Sequence, residues 1–191
     1  SYTVTAAKTN QISFARNKYT ITYNANGGSV SPTSASVYYN ASTTLPTPNK
    51  ANAVFNGWYT ATSGGSKYGN AGASYTVTGA KTMYAQWATP TYTVSVSGTS
   101  VCLKNNYNKQ FCIPKEFWSS NGNNSSAVQT KLKSAMESAF GYATTSCGSS
   151  SGNAYCYFGS ASCYAYSVGN VDCDSESSYC IVYSDGSTYC I

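Results

Sequence analysis

Eight cysteines, all between positions 102 and 190, are the reactive side chains with the most regular spacing in this sequence. Nine residues separate Cys102 from Cys112, Cys163 from Cys173 and Cys180 from Cys190, and eight separate Cys147 from Cys156. A thiol can serve as metal ligand, nucleophile or half of a disulfide. Structural zinc sites are built on cysteine pairs two to four residues apart, a spacing absent here. Nucleophilic catalysis needs an activating base, and the chain contains no histidine. An even number of cysteines gathered in one half reads instead as a disulfide framework formed in an oxidising compartment.

A short period sharpens that reading. Cys156-x6-Cys163-x2-Tyr-Ser-x-Gly-x3-Cys173 is followed by Cys173-x6-Cys180-x2-Tyr-Ser-x-Gly-x3-Cys190, a repeat of 17 residues. Placing Gly186 and Gly169 at the left-handed position of three-residue hairpin loops sets Tyr183 opposite Ser187, Cys180 opposite Cys190, and Cys163 opposite Cys173. Cross-strand neighbours of this kind are close enough to bridge. The spacing therefore predicts the sequential set 102–112, 147–156, 163–173 and 180–190.

Carboxylates are scarce: Glu116, Glu137, Asp172, Asp174, Glu176 and Asp185 are all of them. Asp172, Asp174 and Glu176 alternate and form a weak candidate for calcium. They lack the Asp/Asn-Gly spacing of a calcium loop, so a solvated turn is the stronger expectation, and no metal or other cofactor is predicted. Paired carboxylates for glycoside hydrolysis could come only from these six residues. Without histidine, and with no nucleophile–base pair, the sequence predicts a protein that is not an enzyme. The residues assigned to ligand contact are instead Tyr164, Tyr166, Tyr183, Asp185 and Tyr189, in the loops and strands around the hairpin tips, because tyrosine-rich loops make effective contact surfaces.

The elements that must hold these residues are mostly strands. A chain with 9% charged residues, 19 tyrosines and abundant Ser, Thr, Asn and Gly suits sheets with one wet face. One helix stands out at residues 125–141. Val128, Leu132, Ala135, Met136, Ala139 and Phe140 recur at three-to-four spacing, Ser125 or Ser126 can cap the start, and Gly141 the end. Its apolar stripe is expected to pack on the neighbouring sheet.

The first half differs in every respect. Residues 1–101 carry six of the basic residues and no acid or cysteine. The cations are scattered rather than clustered, so nucleic-acid binding is not predicted. No apolar run is long enough to span a membrane. SYTVTAAKT at 1–9 returns as SYTVTGAKT at 74–82, a self-similarity at a separation of 73 residues. The chain is therefore expected to begin in mid-repeat: 1–18 the tail of a preceding unit, 19–90 one whole module, 91–191 a separate cysteine-rich domain.

Within the module, Tyr19-Thr20-Ile21-Thr22-Tyr23-Asn24-Ala25-Asn26-Gly27-Gly28, Leu45-Pro46-Thr47-Pro48, Phe55-Asn56-Gly57-Trp58-Tyr59 and Met83-Tyr84-Ala85-Gln86-Trp87 follow in order. This succession resembles the Listeria–Bacteroides repeat, the B-repeat module of internalin-like surface proteins. The resemblance implies a small β-grasp-like fold used in tandem on bacterial surfaces, as spacer or as a contributor to host and matrix contacts. Trp58 and Trp87 are then core residues rather than a sugar-stacking platform. The fold class expected for the whole is mainly β with one helix: a β-grasp-like module, then a disulfide-stapled antiparallel-sheet domain packed on one α-helix.

The functional expectation is a non-catalytic protein of the bacterial cell surface or extracellular space. Its repeat stalk would present a disulfide-stabilised terminal domain for adhesion or ligand binding. Its partners would be a host or matrix protein, a glycan, or other copies of itself, with no nucleic acid and no membrane insertion in this segment. The alternative is a subunit of an extracellular pilus-like filament, because a capped helix followed by a meander is loosely similar to pilin heads. A polysaccharide-active enzyme with a repeat appendage comes third.

Overall fold

The computed structural model describes residues 16–191. All but the last three residues of the expected repeat tail at 1–18 lie outside this range. Two bodies follow one another along the chain, each with its own core.

The first is a five-stranded sheet ordered β2-β1-β7-β4-β5, built from β1 (Lys18–Asn24), β2 (Ser34–Tyr38), β4 (Val54–Tyr59), β5 (Lys67–Gly69) and β7 (Lys81–Ala88), with β3 (Ser42–Thr44) and β6 (Ser74–Thr76) forming a small separate pair. Strands β1 and β7 run parallel at its centre and the other pairs are antiparallel. No helix lies within this module. In β1, YTITY alternates as a half-buried strand should, sending Ile21 and Tyr23 inward. They meet Leu45, Trp58, Val77, Met83 and Ala85. Trp58 is fully buried and its indole N–H donates to the Pro46 carbonyl at 3.0 Å. Trp87 is half-buried, packs edge-on against Phe55 and donates to the Ala25 carbonyl at 2.9 Å. Both tryptophans thus belong to the module's interior packing, as the sequence predicts.

The second body is a two-layer domain. One layer is a meander of six antiparallel strands in chain order: β11 (Ser146–Ser150), β12 (Asn153–Phe158), β13 (Ala161–Tyr166), β14 (Val171–Ser175), β15 (Ser178–Val182) and β16 (Thr188–Cys190). The other layer combines a three-stranded sheet, β8 (Tyr92–Ser97), β9 (Ser100–Asn105) and β10 (Gln110–Pro114), with the helix α2 (Ser125–Phe140), preceded by a single turn, α1 (Phe117–Ser120). Val128, Leu132, Met136 and Phe140 of α2 are buried in the core shared with the meander.

Gly141 ends α2 in the left-handed conformation, as expected, but the N-cap is Asn124, not Ser125 or Ser126. The Asn124 side-chain carbonyl accepts from the Ala127 N–H at 2.9 Å, the geometry of a standard N-cap. Ser125 instead donates its hydroxyl to the Ser150 carbonyl at 2.6 Å, tying the helix start to β11.

The disulfides join Cys102 to Cys112, Cys147 to Cys156, Cys163 to Cys173 and Cys180 to Cys190. This is the sequential set, and the hairpin register explains it. Tyr183 N–H donates to the Ser187 carbonyl, Tyr166 N–H to that of Asn170, and Gly186 and Gly169 take the left-handed conformation. Pairs alternate along an antiparallel ladder between hydrogen-bonded and non-hydrogen-bonded. Counting from those closing bonds places 163–173 and 180–190 at non-hydrogen-bonded positions. There the Cα atoms approach most closely, to 4.1 and 4.2 Å.

Cys156 also lies opposite Cys163, and Cys173 opposite Cys180, so six cysteines form one continuous row across the meander. A residue in an antiparallel sheet turns its N–H and C=O to the same neighbour. Cys163 and Cys173 are non-hydrogen-bonded to each other, so each is hydrogen-bonded to its other neighbour, Cys156 and Cys180, where the Cα atoms stand farther apart. Backbone parity thereby selects the pairing.

The two bodies are joined by more than the connection between β7 and β8. Asn52, in a loop of the first module, donates its backbone N–H to the Ala143 carbonyl at 3.0 Å. Its side-chain carbonyl accepts from the Tyr92 hydroxyl at 2.8 Å. Tyr92 in turn accepts from Tyr142 at 2.8 Å, and Tyr142 accepts from the Asn105 side-chain amide at 2.9 Å. With the Tyr92 proton committed to Asn52, the direction of the whole chain is fixed. The Asn52 amide also packs over Gly159, at a point where a Cβ would collide with it. Val54, likewise of the first module, packs against the second core.

Candidate functional site

Cysteine parity decides which way every side chain of the meander points. Cys156, Cys163, Cys173 and Cys180 face the core with Ala154, Phe158, Ala161, Ala165, Val171 and Val182. Because side chains alternate along a strand, their neighbours form the opposite face: Tyr155 and Tyr157 on β12, Ser162, Tyr164 and Tyr166 on β13, Asp172 and Asp174 on β14, Tyr179 and Ile181 on β15, and Tyr189 on β16. Cross-strand register aligns Gly148, Tyr155, Tyr164, Asp172, Ile181 and Tyr189 in one row.

The rings form a continuous platform. Tyr164 and Tyr166 lie nearly parallel, centroids 6.1 Å apart, and Tyr155 lies 5.3 Å from Tyr164. Tyr157 meets Tyr155 and Tyr164 edge-on, and its hydroxyl is hydrogen-bonded to that of Tyr164. Gly148 permits this layout. The Tyr155 ring lies flat across β11, and a Cβ on Gly148 would come within 2.5 Å of the Tyr155 hydroxyl.

Asp172 sits in the middle of the platform and is only 5% exposed. Its Oδ2 accepts from the Tyr166 hydroxyl at 2.9 Å, and the Tyr179 hydroxyl lies close enough to lower its pKa as well. Burial raises its carboxyl from 3.8 to about 6, and the charge of Asp174 pushes the same way, against the lowering by the two tyrosine hydroxyls. Burial, next to this carboxylate, also raises the phenol of Tyr166, and burial with the Tyr157 contact raises that of Tyr164. Both phenols therefore stay protonated at neutral pH, Tyr166 with its proton donated in the hydrogen bond to Asp172. No lysine or arginine occurs from residue 141 to 191, where Asp172, Asp174, Glu176 and Asp185 are the charged side chains. The face offers ring stacking, hydroxyl hydrogen bonds and the negative charge of Asp172 and Asp174, while Asp185 at the tip has Lys115 nearby.

The contact residues expected from sequence fall in two places. Tyr164 and Tyr166 are in the platform itself, with Tyr189 two strands beyond Asp172 on the same face. Tyr183 and Asp185 are at the β15–β16 hairpin tip, at the end of the meander away from the Asn52–Gly159 junction. There the Asp185 carboxylate accepts from the Ser187 N–H at 2.8 Å, and the Ser187 side chain together with this N–H lowers its pKa. Asp172, Asp174 and Glu176 do not gather as a cation site. Among the described residues no group of three His, Cys, Asp or Glu side chains converges to hold a metal. Asp172 is taken up by tyrosine hydroxyls, and Glu176 is in the β14–β15 turn. Tyr155, Tyr157 and Tyr179 share this face and are not among the residues singled out from the sequence. The signal that finds them is their odd-numbered offset from cysteines whose side chains face inward.

A second concavity lies at the junction, with a volume of about 150 Å³ between Phe55 and Trp87 of the module and Phe140 and Tyr142 of the second domain. Its charged lining is Lys50 and Lys109, with no acid. No helix among the described residues is long and apolar enough to cross a membrane.

No curated protein and no solved structure matches this chain. Residues 19–86 do match the family model of the Listeria-Bacteroides repeat domain, in agreement with the motifs read from the sequence of the first body.

Proposed function

We propose that this chain is a non-catalytic protein of a bacterial surface, in which the repeat module carries the disulfide domain outward for adhesion. The outer tyrosine face, with the tip residues Tyr183 and Asp185, makes the contact with a host or matrix protein or a glycan. The match to the repeat family supports a bacterial-surface setting, and four disulfides suit an oxidising, extracellular one. The observation that carries the contact role is the platform. A two-layer domain that keeps its tyrosines outside, on one face and beside a carboxylate, is arranged for contact, because tyrosine supplies large rigid area and a hydroxyl at low entropic cost.

The non-catalytic reading is supported by the same geometry. The chain has no histidine. Its most perturbed carboxylate is held by tyrosine hydroxyls on an open sheet, next to another acid, with no nucleophile beside it.

The test is a glycan and matrix-protein array probed with the whole chain and with Tyr164→Ala/Tyr166→Ala. Signal on at least one ligand class is expected, and the double variant should lose it by about tenfold or more, the weight of an interface anchor. Undiminished binding by the double variant would move the contact off this face.

A further inference from the structure

Charge is divided between the ends of this molecule. From residue 16 to 101 the charged side chains are Arg16, Lys18, Lys50, Lys67 and Lys81, all cationic, and those of the meander, 141–191, are Asp172, Asp174, Glu176 and Asp185, all anionic; the lysines of the second domain, Lys104, Lys109, Lys115, Lys131 and Lys133, belong to residues 102–140, which supply its other layer. Each end is also furnished with the chemistry that the other would engage. Asp172 is a buried anion answered by tyrosine hydroxyls and by no cation. The π faces around it are those on which ammonium and guanidinium groups seat favourably.

The module already shows that contact within itself. The Lys18 ammonium stands 4.7 Å and the Arg16 guanidinium 5.5 Å from the ring centre of Tyr38. Tyr38 and its neighbour Tyr39 are 44% and 46% exposed. Arg16 also donates to the Tyr39 carbonyl at 2.9 Å; Lys67, exposed as well, and Lys50 lie singly over Tyr59 and Trp87, beside Gly57 and Gly27. Arg16 and Lys18 are therefore the adjacent pair of exposed cations that the module presents.

We propose that copies of this chain associate head to tail, with Arg16 and Lys18 of one repeat module seated on the tyrosine–aspartate face of the next copy. Opposite charges meet in this arrangement. A symmetric contact between two tyrosine faces would instead oppose Asp172 and Asp174 to their own copies, a like-charge juxtaposition that disfavours it. Two different surfaces form the contact, so it leaves one of each free and can extend. The inference rests on the reading of the tyrosine face as a contact surface and names a second copy as its occupant. It needs no host ligand, so an empty array leaves it standing.

Sedimentation velocity of the whole chain without ligand tests it. Mass-average size should rise with concentration at about 0.01 M salt and return to the monomer at about 0.5 M, where exposed charges are screened. Asp172→Asn/Asp174→Asn and Arg16→Glu/Lys18→Glu should each be monomeric alone, with self-association weakened at least tenfold. An equimolar mixture of the two retains one intact face of each kind, so it should form a one-to-one dimer that grows no further. Asp174→Lys, at an exposed side chain, replaces the first variant if near-ultraviolet dichroism shows that its core has changed. A wild-type chain that stays monomeric at low salt overturns the proposal. So does a mixture that stays monomeric, or association that survives in the Arg16/Lys18 variant. If the whole chain self-associates while the array stays empty, the adhesive reading fails and this one holds.

Discussion

The module sheet and the meander fill their inner faces differently. The repeat module has no cysteine, and it buries aromatic rings: Trp58 is fully enclosed, Tyr23 is 4% exposed, and Phe55 and Trp87 pack around them. The terminal domain fills the inner face of its meander with Ala, Val, Phe158 and four buried half-cystines, and turns Tyr155, Tyr157, Tyr164, Tyr166 and Tyr179 outward. A core of small residues buries less apolar area per position, and covalent bridges offset that deficit. The exchange frees the aromatic rings for the surface. Two sheets of similar composition thus differ in what faces solvent because they differ in what holds them together.

The largest expected effect that separates them is reduction. Each bridge closes a loop of about ten residues and contributes about 2–3 kcal/mol in the chain-entropy treatment. Four together amount to about 10 kcal/mol, comparable to the whole stability of a typical domain. Hydrogen exchange with and without a strong reductant should show β8–β16 and α2 losing protection while β1, β4 and β7 keep theirs. Simultaneous loss in both bodies would mean that the Asn52 junction makes them one cooperative unit.

The converse variant, Trp58→Ala, should cost the module about 3–5 kcal/mol, the usual range for emptying a buried aromatic site. Tryptophan fluorescence and exchange should report an unfolded module beside an intact disulfide domain. An unchanged midpoint would show that the aromatic core is not what holds the module.

The smallest effect belongs to Asp172. Its carboxyl sits at about 6 in the native chain, raised by burial from 3.8. Between about pH 4 and pH 6 the native state keeps a proton that the unfolded chain has lost, so stability falls as pH rises through that window. The loss is bounded at about 2–3 kcal/mol by the size of the shift. Denaturant midpoints at the two ends of the window should show it, and Asp172→Asn should flatten it. A profile that rises with pH, or one unchanged by Asp172→Asn, would place the charge cost elsewhere. The groups facing this carboxyl are Tyr164, Tyr166, Tyr179 and Asp174, none cationic at these pH values.

What could be read in advance depended on how locally each feature is encoded. For 163–173 and 180–190 the disulfide pairing was legible because Gly169 and Gly186 at the tips fix the register, and the register fixes the parity ten residues apart. The module was legible because its motifs keep their order. Helix α2 was legible from its stripe, but its cap was not, since Ser125 and Asn124 compete for that role and only the contact with Ser150 decides between them. The face at Tyr155, Tyr157 and Tyr179 was hidden for a different reason. Alternation reveals two faces and not which one is inside, and sequence reasoning looked for contact residues around the loops. The Asn52 junction depends on Tyr92, Tyr142 and Gly159, brought together only by the fold.

The row of half-cystines also bears on how such a chain is made. Each bridge spans only nine or ten positions and closes between strands that follow one another in the chain. A polypeptide threaded unfolded through a translocation pore can therefore oxidise hairpin by hairpin as it emerges, with no thiol waiting for a distant partner still to come. The order of synthesis and the order in which these four bonds can close coincide.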